Sequence, residues 1–116
     1  MNYDYNNMET EKSKNFPYGT ESVFVLKKQD ILYYQAIPYE DKAGKHCQIK
    51  IYFKGGDVIR AYFNNSSEVK EAMNALDNFR CSTVYVARAK TKDDKSFQRD
   101  FITNSIGLYE EAIANL

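Results

Sequence analysis

The strongest constraint in this sequence is a pair of alternating segments on either side of two adjacent glycines. HCQIKIYF (46–53) and DVIRAYF (57–63) place apolar residues at every second position, the pattern of a half-buried β-strand. Gly55 and Gly56 can adopt the positive φ that a tight reversal requires. The sequence therefore predicts an antiparallel hairpin with one face toward a core.

The register of this hairpin can be argued from its apolar positions. A two-residue loop sets Ile51 opposite Arg60, whereas a three-residue loop that includes Asp57 sets Ile51 opposite Ala61. Because a one-residue slip moves every side chain to the other face, we expect the three-residue loop. The same register pairs, on the second face, Lys54 with Val58, Tyr52 with Arg60, and Lys50 with Tyr62.

This second face supplies the candidate binding residues, which are Lys50, Tyr52, Lys54, Arg60 and Tyr62. Residues 27–64 carry seven basic residues against four acidic ones, so positive charge is concentrated near this face. Tyr and Arg dominate the energetics of protein interfaces, and rings between cations also bind single-stranded nucleic acid. A solvated sheet face without a ligand would carry the same residue types.

Other β-branched and aromatic runs predict two further hairpins. SVFVLK (22–27) and DILYYQAI (30–37) form the first, and TVYVARAK (83–90) pairs with SFQRDFI (96–102) in the last. Arg88 and Lys90 would extend the candidate face if their strand joins it on the same side. One helix from Asp94 onward is an alternative for the last strand.

Two helices follow from capping residues and apolar spacing. Asn65 and Glu68 have the form of a capping box, and we expect that helix to end near Arg80. Its predicted buried stripe is Val69, Ala72, Met73, Leu76 and Phe79. A second helix follows the cap candidates TNS (103–105), with a predicted buried stripe of Ile106, Tyr109, Ile113 and Leu116. EAMNAL (71–76) and EAIANL (111–116) indicate either an internal duplication or two ordinary amphipathic helices.

The element order ββββαββα predicts an α+β fold. We expect a mostly antiparallel curved sheet of about six strands, in three hairpins, with two helices on one face. Residues 1–22 lack any period and are predicted to form a flexible N-terminal arm. We expect residues 23–116 to form a single α+β domain, since 116 residues suit one core.

Composition and motifs argue against several functional classes. The 16 basic and 16 acidic residues sum to zero net charge, which provides no global attraction to polyanions or membranes. Cys47 and Cys81 lack metal-type spacing, and with no signal or membrane-spanning segment we expect a soluble, cytoplasmic protein. His46 adjoins Cys47 in a strand, where neighbours face opposite sides, so a catalytic pair is not expected. We expect no cofactor, no metal and no enzymatic activity.

The sequence thus predicts a small non-enzymatic binding protein of the inhibitor, immunity-type or adaptor class. Its partner is expected to be another protein, bound on the aromatic and basic sheet face. The alternative is a single-stranded nucleic-acid-binding protein that uses the same face. A homodimer formed through an unpaired sheet edge is a further alternative.

Overall fold

The computed structural model describes residues 16–42, 44–91 and 99–116. Within them the chain forms six strands, a short 3₁₀ turn (Lys28–Asp30) and two α-helices. The strands are β1 (Thr20–Lys27), β2 (Ile31–Asp41), β3 (Gly44–Phe53), β4 (Val58–Phe63), β5 (Thr83–Ala89) and β6 (Asp100–Thr103). The helices are α1 (Ser66–Asp77) and α2 (Ile106–Ala114). The predicted α+β class, with antiparallel strands and two helices, is confirmed.

The strands divide between two three-stranded sheets, with strand orders β1-β5-β6 and β2-β3-β4. The predicted first hairpin is wrong, because β1 pairs with β5, placing Val25 opposite Tyr85. The segment between β1 and β2 contains neither glycine nor asparagine, and Lys27 and Ile31 are both extended around the 3₁₀ turn. The chain therefore passes from one sheet into the other, and the single curved sheet of three hairpins is corrected to two sheets.

One apolar core joins both sheets to α1. It buries the inward-facing positions of β3 and β4 that the hairpin pattern predicts, with Ile49, Ile51, Ala61 and Phe63 each fully buried. The remaining buried members come from β1, α1, β5 and β6: Leu26, Ala72, Ala75, Leu76, Val84, Val86 and Ile102. These contacts fix the β2-β3-β4 sheet with one face inward and the other outward.

Helix α1 begins as predicted and ends earlier than predicted. The Asn65 Oδ1 atom accepts a hydrogen bond from the Glu68 N–H at 2.9 Å, which satisfies a free amide of the first turn. The helix ends at Asp77, and Asn78 is extended with ψ 95°. Phe79 therefore lies beyond the helix and is 90% exposed, so its predicted place in the buried stripe is wrong.

Helix α2 packs on the opposite face of the β1-β5-β6 sheet from α1. Val86 belongs to the core shared with α1, whereas its neighbour Ala87 packs with Ala112 of α2. Successive strand residues point to opposite faces, so the expected placement of both helices on one face is corrected. The small side chains of Ala87, Ala89 and Ala112 let the helix lie close to the sheet.

The buried side of α2 also differs from the prediction. Leu108 and Ala112 face the sheet, whereas Ile106, Ile113 and Leu116 are exposed. Hydrophobicity alone could not predict which side of α2 is buried, because apolar residues occur on both sides of this helix. The alanine contacts with the sheet favour the side that carries Ala112.

The two sheets are joined by side chains where β4 lies beside β6. The fully buried Asp100 accepts hydrogen bonds from Arg88 Nε and from the Tyr62 backbone N–H, both at 3.0 Å. Arg88 Nη2 donates to the Arg60 carbonyl oxygen at 2.8 Å. These side chains therefore bind backbone groups of β4 at the junction between the sheets.

Several predictions fall partly outside the described residues. These include positions 1–15 of the predicted arm and most of the predicted turn over 91–95. Phe16 is buried against Phe101 and β1 begins at Thr20, so packed structure starts before residue 22. The predicted last strand is present as β6, which excludes a helix through residues 100–103. No helix within the described ranges is long and apolar enough to cross a membrane.

Candidate functional site

The pairing of β3 with β4 determines which side chains face outward together. Lys50 lies opposite Arg60, and Tyr52 lies opposite Val58. The loop has three residues as expected, but they are residues 54–56 and not 55–57, because the Phe53 N–H donates to the Asp57 carbonyl oxygen at 2.9 Å and these two residues close the loop. The predicted partners are thus displaced by two residues, and the predicted pairing of cations with rings across these strands is wrong as well.

The displacement by two residues leaves the predicted faces unchanged, because side chains alternate with a period of two. We call the side of the β2-β3-β4 sheet that points away from the core the outer face. Helix α1 packs on the inner side, so the described helices leave the outer face uncovered. From the registers, its members are Tyr33, Gln35, Ile37 and Tyr39 of β2, His46, Gln48, Lys50 and Tyr52 of β3, and Val58, Arg60 and Tyr62 of β4.

Four of the five predicted site residues lie on the outer face: Lys50, Tyr52, Arg60 and Tyr62. Lys54 lies in the turn beyond β3, where its side chain is exposed and its N–H donates to the Asp30 carbonyl oxygen at 2.9 Å. Lys50 and Arg60 are direct cross-strand neighbours, which concentrates two positive charges at the centre of the face. The structure thus brings four residues together and places Lys54 at the edge.

The set of site residues predicted from the sequence contains none from β2, although β2 contributes to the outer face. Tyr33 is 52% exposed and stacks on Tyr52, with ring centroids 4.4 Å apart and planes inclined by 22°. Gln35 lies beside Lys50, and Tyr39 packs against His46 with centroids 5.5 Å apart. The polar segment YEDKAGK (39–45) between two strand patterns was the available signal that β2 and β3 are neighbours.

Arg88 reaches the β4 edge from the other sheet, but its strand β5 pairs with β1 and β6 and does not join the β2-β3-β4 sheet, although the predicted extension of the face required this. The Arg88 guanidinium lies 5.2 Å from the centre of the Phe24 ring, and it bonds to Asp100 and to the β4 backbone. A cavity of about 360 Å³ opens at this junction, lined by Phe24, Val58, Ile59, Arg60, Tyr62 and Arg88. Lys90 lies beyond the end of β5 beside Gly19, away from this cavity.

The ionisable groups at the end of the face are engaged in local contacts. His46 Nε2 lies 2.9 Å from Asp41 Oδ1, and Cys47 Sγ donates to the Gln48 carbonyl oxygen at 3.6 Å. Burial raises the pKa of the Cys47 thiol, which lowers its thiolate fraction at neutral pH. Burial, with a smaller effect from Asp41, also raises the pKa of Tyr39.

These contacts do not form a nucleophile and base pair. His46 belongs to the outer face, whereas Cys47 lies on the inner side opposite Phe63. Among residues 16–42, 44–91 and 99–116, no three His, Cys, Asp or Glu side chains converge to hold a metal ion. Comparison of the chain with protein-family models, curated proteins and solved structures finds no match to any of them.

Proposed function

We propose that this chain is a non-enzymatic binding protein that docks an acidic surface of another protein on the outer face. The observation that supports this most directly is the adjacent pair Lys50 and Arg60, set between tyrosines on a sheet face that the described helices leave uncovered. Arginine and tyrosine contribute strongly at protein interfaces, and a complementary acidic partner would offset the repulsion between the two cations.

The arrangement of the rings favours a protein over single-stranded nucleic acid. Binders of single strands stack successive bases on free aromatic faces and follow the phosphates with many cations. Here Tyr33 and Tyr52 stack on each other, and Tyr39 packs against His46. The cations of the described outer face are few, and Asp41 lies close to His46 at its end.

The assignment as non-enzymatic is supported by the state of the nucleophile candidates. The raised pKa of Cys47 and its inward position make this thiol a poor nucleophile. Cys47 and Cys81 are both free thiols, which supports a reducing compartment, and the cytoplasm is the location that we propose.

The test is a quantitative affinity pull-down from the source cell with matched variants. Replacing Lys50, Tyr52 and Arg60 together by alanine should remove the captured protein. Replacing the exposed residues Lys27, Lys70 and Glu71 by alanine provides the control and should leave capture unchanged. Undiminished capture by the Lys50, Tyr52 and Arg60 variant would show that the outer face is not the docking surface.

Two further measurements test whether the outer face binds single-stranded nucleic acid or a second copy of the chain instead of another protein. Fluorescence anisotropy with labelled single-stranded oligonucleotides at low and moderate salt tests for nucleic acid, and saturable micromolar binding lost in Arg60→Ala would replace the protein proposal. Sedimentation of the purified chain tests for a homodimer. A dimer dissociated by the Lys50, Tyr52 and Arg60 variant would make a second copy the partner of this face.

A further inference from the structure

The cavity between the two sheets, which we call the junction cavity, has an apolar part and a cationic part. Its volume of about 360 Å³ falls in the range of small-molecule sites, which is roughly 300–1,000 Å³. Phe24, Val58 and Ile59 provide apolar surface, from β1 on one side and from β4 on the other. Arg60 and Arg88 bring one guanidinium group from each sheet. A ligand in this cavity therefore meets apolar side chains and positive charge together.

The two arginines of the junction cavity are held differently. Arg88 Nε lies 3.0 Å from the buried carboxylate of Asp100, and Arg88 Nη2 donates to the Arg60 carbonyl oxygen at 2.8 Å. These contacts fix the orientation of the Arg88 guanidinium, while 21% of this side chain stays exposed. The Arg60 side chain is exposed, and no ion pair joins it to a carboxylate of the residues that the structure describes. One carboxylate thus compensates two guanidinium groups, which leaves positive charge at the cavity.

This combination favours one chemical class of ligand. Guanidinium groups bind the oxygens of carboxylates and phosphates in a planar, often bidentate geometry. Because Asp100 already holds the Arg88 side chain in place, little side-chain entropy is lost when an anion binds there. The apolar surface requires a ligand that is more than an inorganic ion, and the Phe24 ring offers an edge or face to another ring.

We propose that the junction cavity binds a small organic anion, an aryl carboxylate or aryl phosphate. Its ring would lie against Phe24 and Ile59, and its oxyanion would contact Arg60 and Arg88. Binding would neutralise the excess positive charge where the two sheets meet. Arg60 also belongs to the outer face, but this site takes a small molecule and does not require that the outer face docks a protein.

The test is an NMR titration of the isotope-labelled full chain with phenyl phosphate and with benzoate at low salt. Both should shift the backbone amides of β4 and of Arg88 saturably, with a Kd of about 1 mM or below. Inorganic phosphate lacks the ring and benzyl alcohol lacks the charge, so each should bind at least about tenfold more weakly than phenyl phosphate. Added salt should weaken the binding of phenyl phosphate.

Variants of one exposed arginine test the cationic part. Arg60→Gln should weaken the binding of phenyl phosphate about tenfold, the order expected when a hydrogen bond to a charged group is lost. The substitution keeps the backbone carbonyl that Arg88 binds, so we expect the fold to persist. Arg60→Lys retains the charge and should recover part of the affinity. Arg80→Gln is the matched control, since it removes an exposed arginine outside the lining of the cavity and should leave the affinity unchanged.

Four results would overturn the proposal. These are the absence of a saturable shift with phenyl phosphate, shifts confined to regions away from β4 and Arg88, equal affinities of the Arg60→Gln and Arg80→Gln variants, and binding of inorganic phosphate as tight as that of phenyl phosphate. The titrations use the chain without a protein partner. Their failure would therefore leave the docking proposal for the outer face intact, and a failed pull-down would likewise leave this site in place.

Discussion

Asp100 is a buried carboxylate on which the junction of the two sheets depends. It has no exposed surface, and its oxygens accept hydrogen bonds from the Arg88 side chain and the Tyr62 backbone N–H. Removing one partner of a buried ion pair leaves the other charge uncompensated, which costs about 3–5 kcal/mol. We therefore expect Asp100→Ala to lower the free energy of unfolding in urea by about that amount.

The control for this prediction is Glu71→Ala, which removes an exposed carboxylate from α1 and should change the free energy of unfolding by less than about 0.5 kcal/mol. A similarly small loss in Asp100→Ala would contradict the role assigned to the buried pair.

Asp100 also explains why the sequence of the last strand does not alternate cleanly between apolar and polar residues. Asp100 shares the core-facing side with Ile102, so a charge occupies a position where alternation requires an apolar residue.

The β3–β4 hairpin shows how far strand patterns determine an element. Alternation predicted the faces of Lys50, Tyr52, Arg60 and Tyr62, because any register displaced by two residues keeps each side chain on its side. For the same reason alternation could not select between a loop of residues 55–57 and the observed loop of residues 54–56. Tyr33 was missed because β2 was assigned to a hairpin with β1, and neighbouring strands in sequence need not pair.

The turn of this hairpin gives a prediction at the scale of the element. Gly56 has φ +97°, whereas Gly55 does not have a positive φ, and a Cβ added at either position would meet open space. The two glycines therefore differ in backbone conformation and not in packing. We expect Gly56→Ala to lower the free energy of unfolding by about 1–2 kcal/mol relative to Gly55→Ala, measured by urea denaturation. Equal effects of the two substitutions would mean that the turn adopts another conformation in solution.

At the scale of the whole molecule, two apolar clusters of unequal size lie on either side of the β1-β5-β6 sheet. The larger contains aliphatic and aromatic side chains from both sheets and from α1. The smaller buries Phe16 and Phe101 together with three alanines, which provide little apolar area. The sequence indicated that each helix has an apolar side, but it could not show that the helices pack on different sides of a sheet. That arrangement depends on the pairing of β1 with β5, between residues far apart in the chain.

The unequal size of the two apolar clusters predicts that α2 unfolds locally while the remaining elements stay folded. α2 is a nine-residue helix held by the smaller cluster, and helices of this length are marginal without tertiary contacts. In native-state hydrogen exchange, amides of α2 should have an opening free energy at least about 2 kcal/mol below that of the central amides of β3 and β5. The strand amides of the two sheets should share one value, since Ile51 and Val86 belong to a single core. Equal protection of α2 and the strands would instead show that the smaller cluster and the main core unfold as one unit.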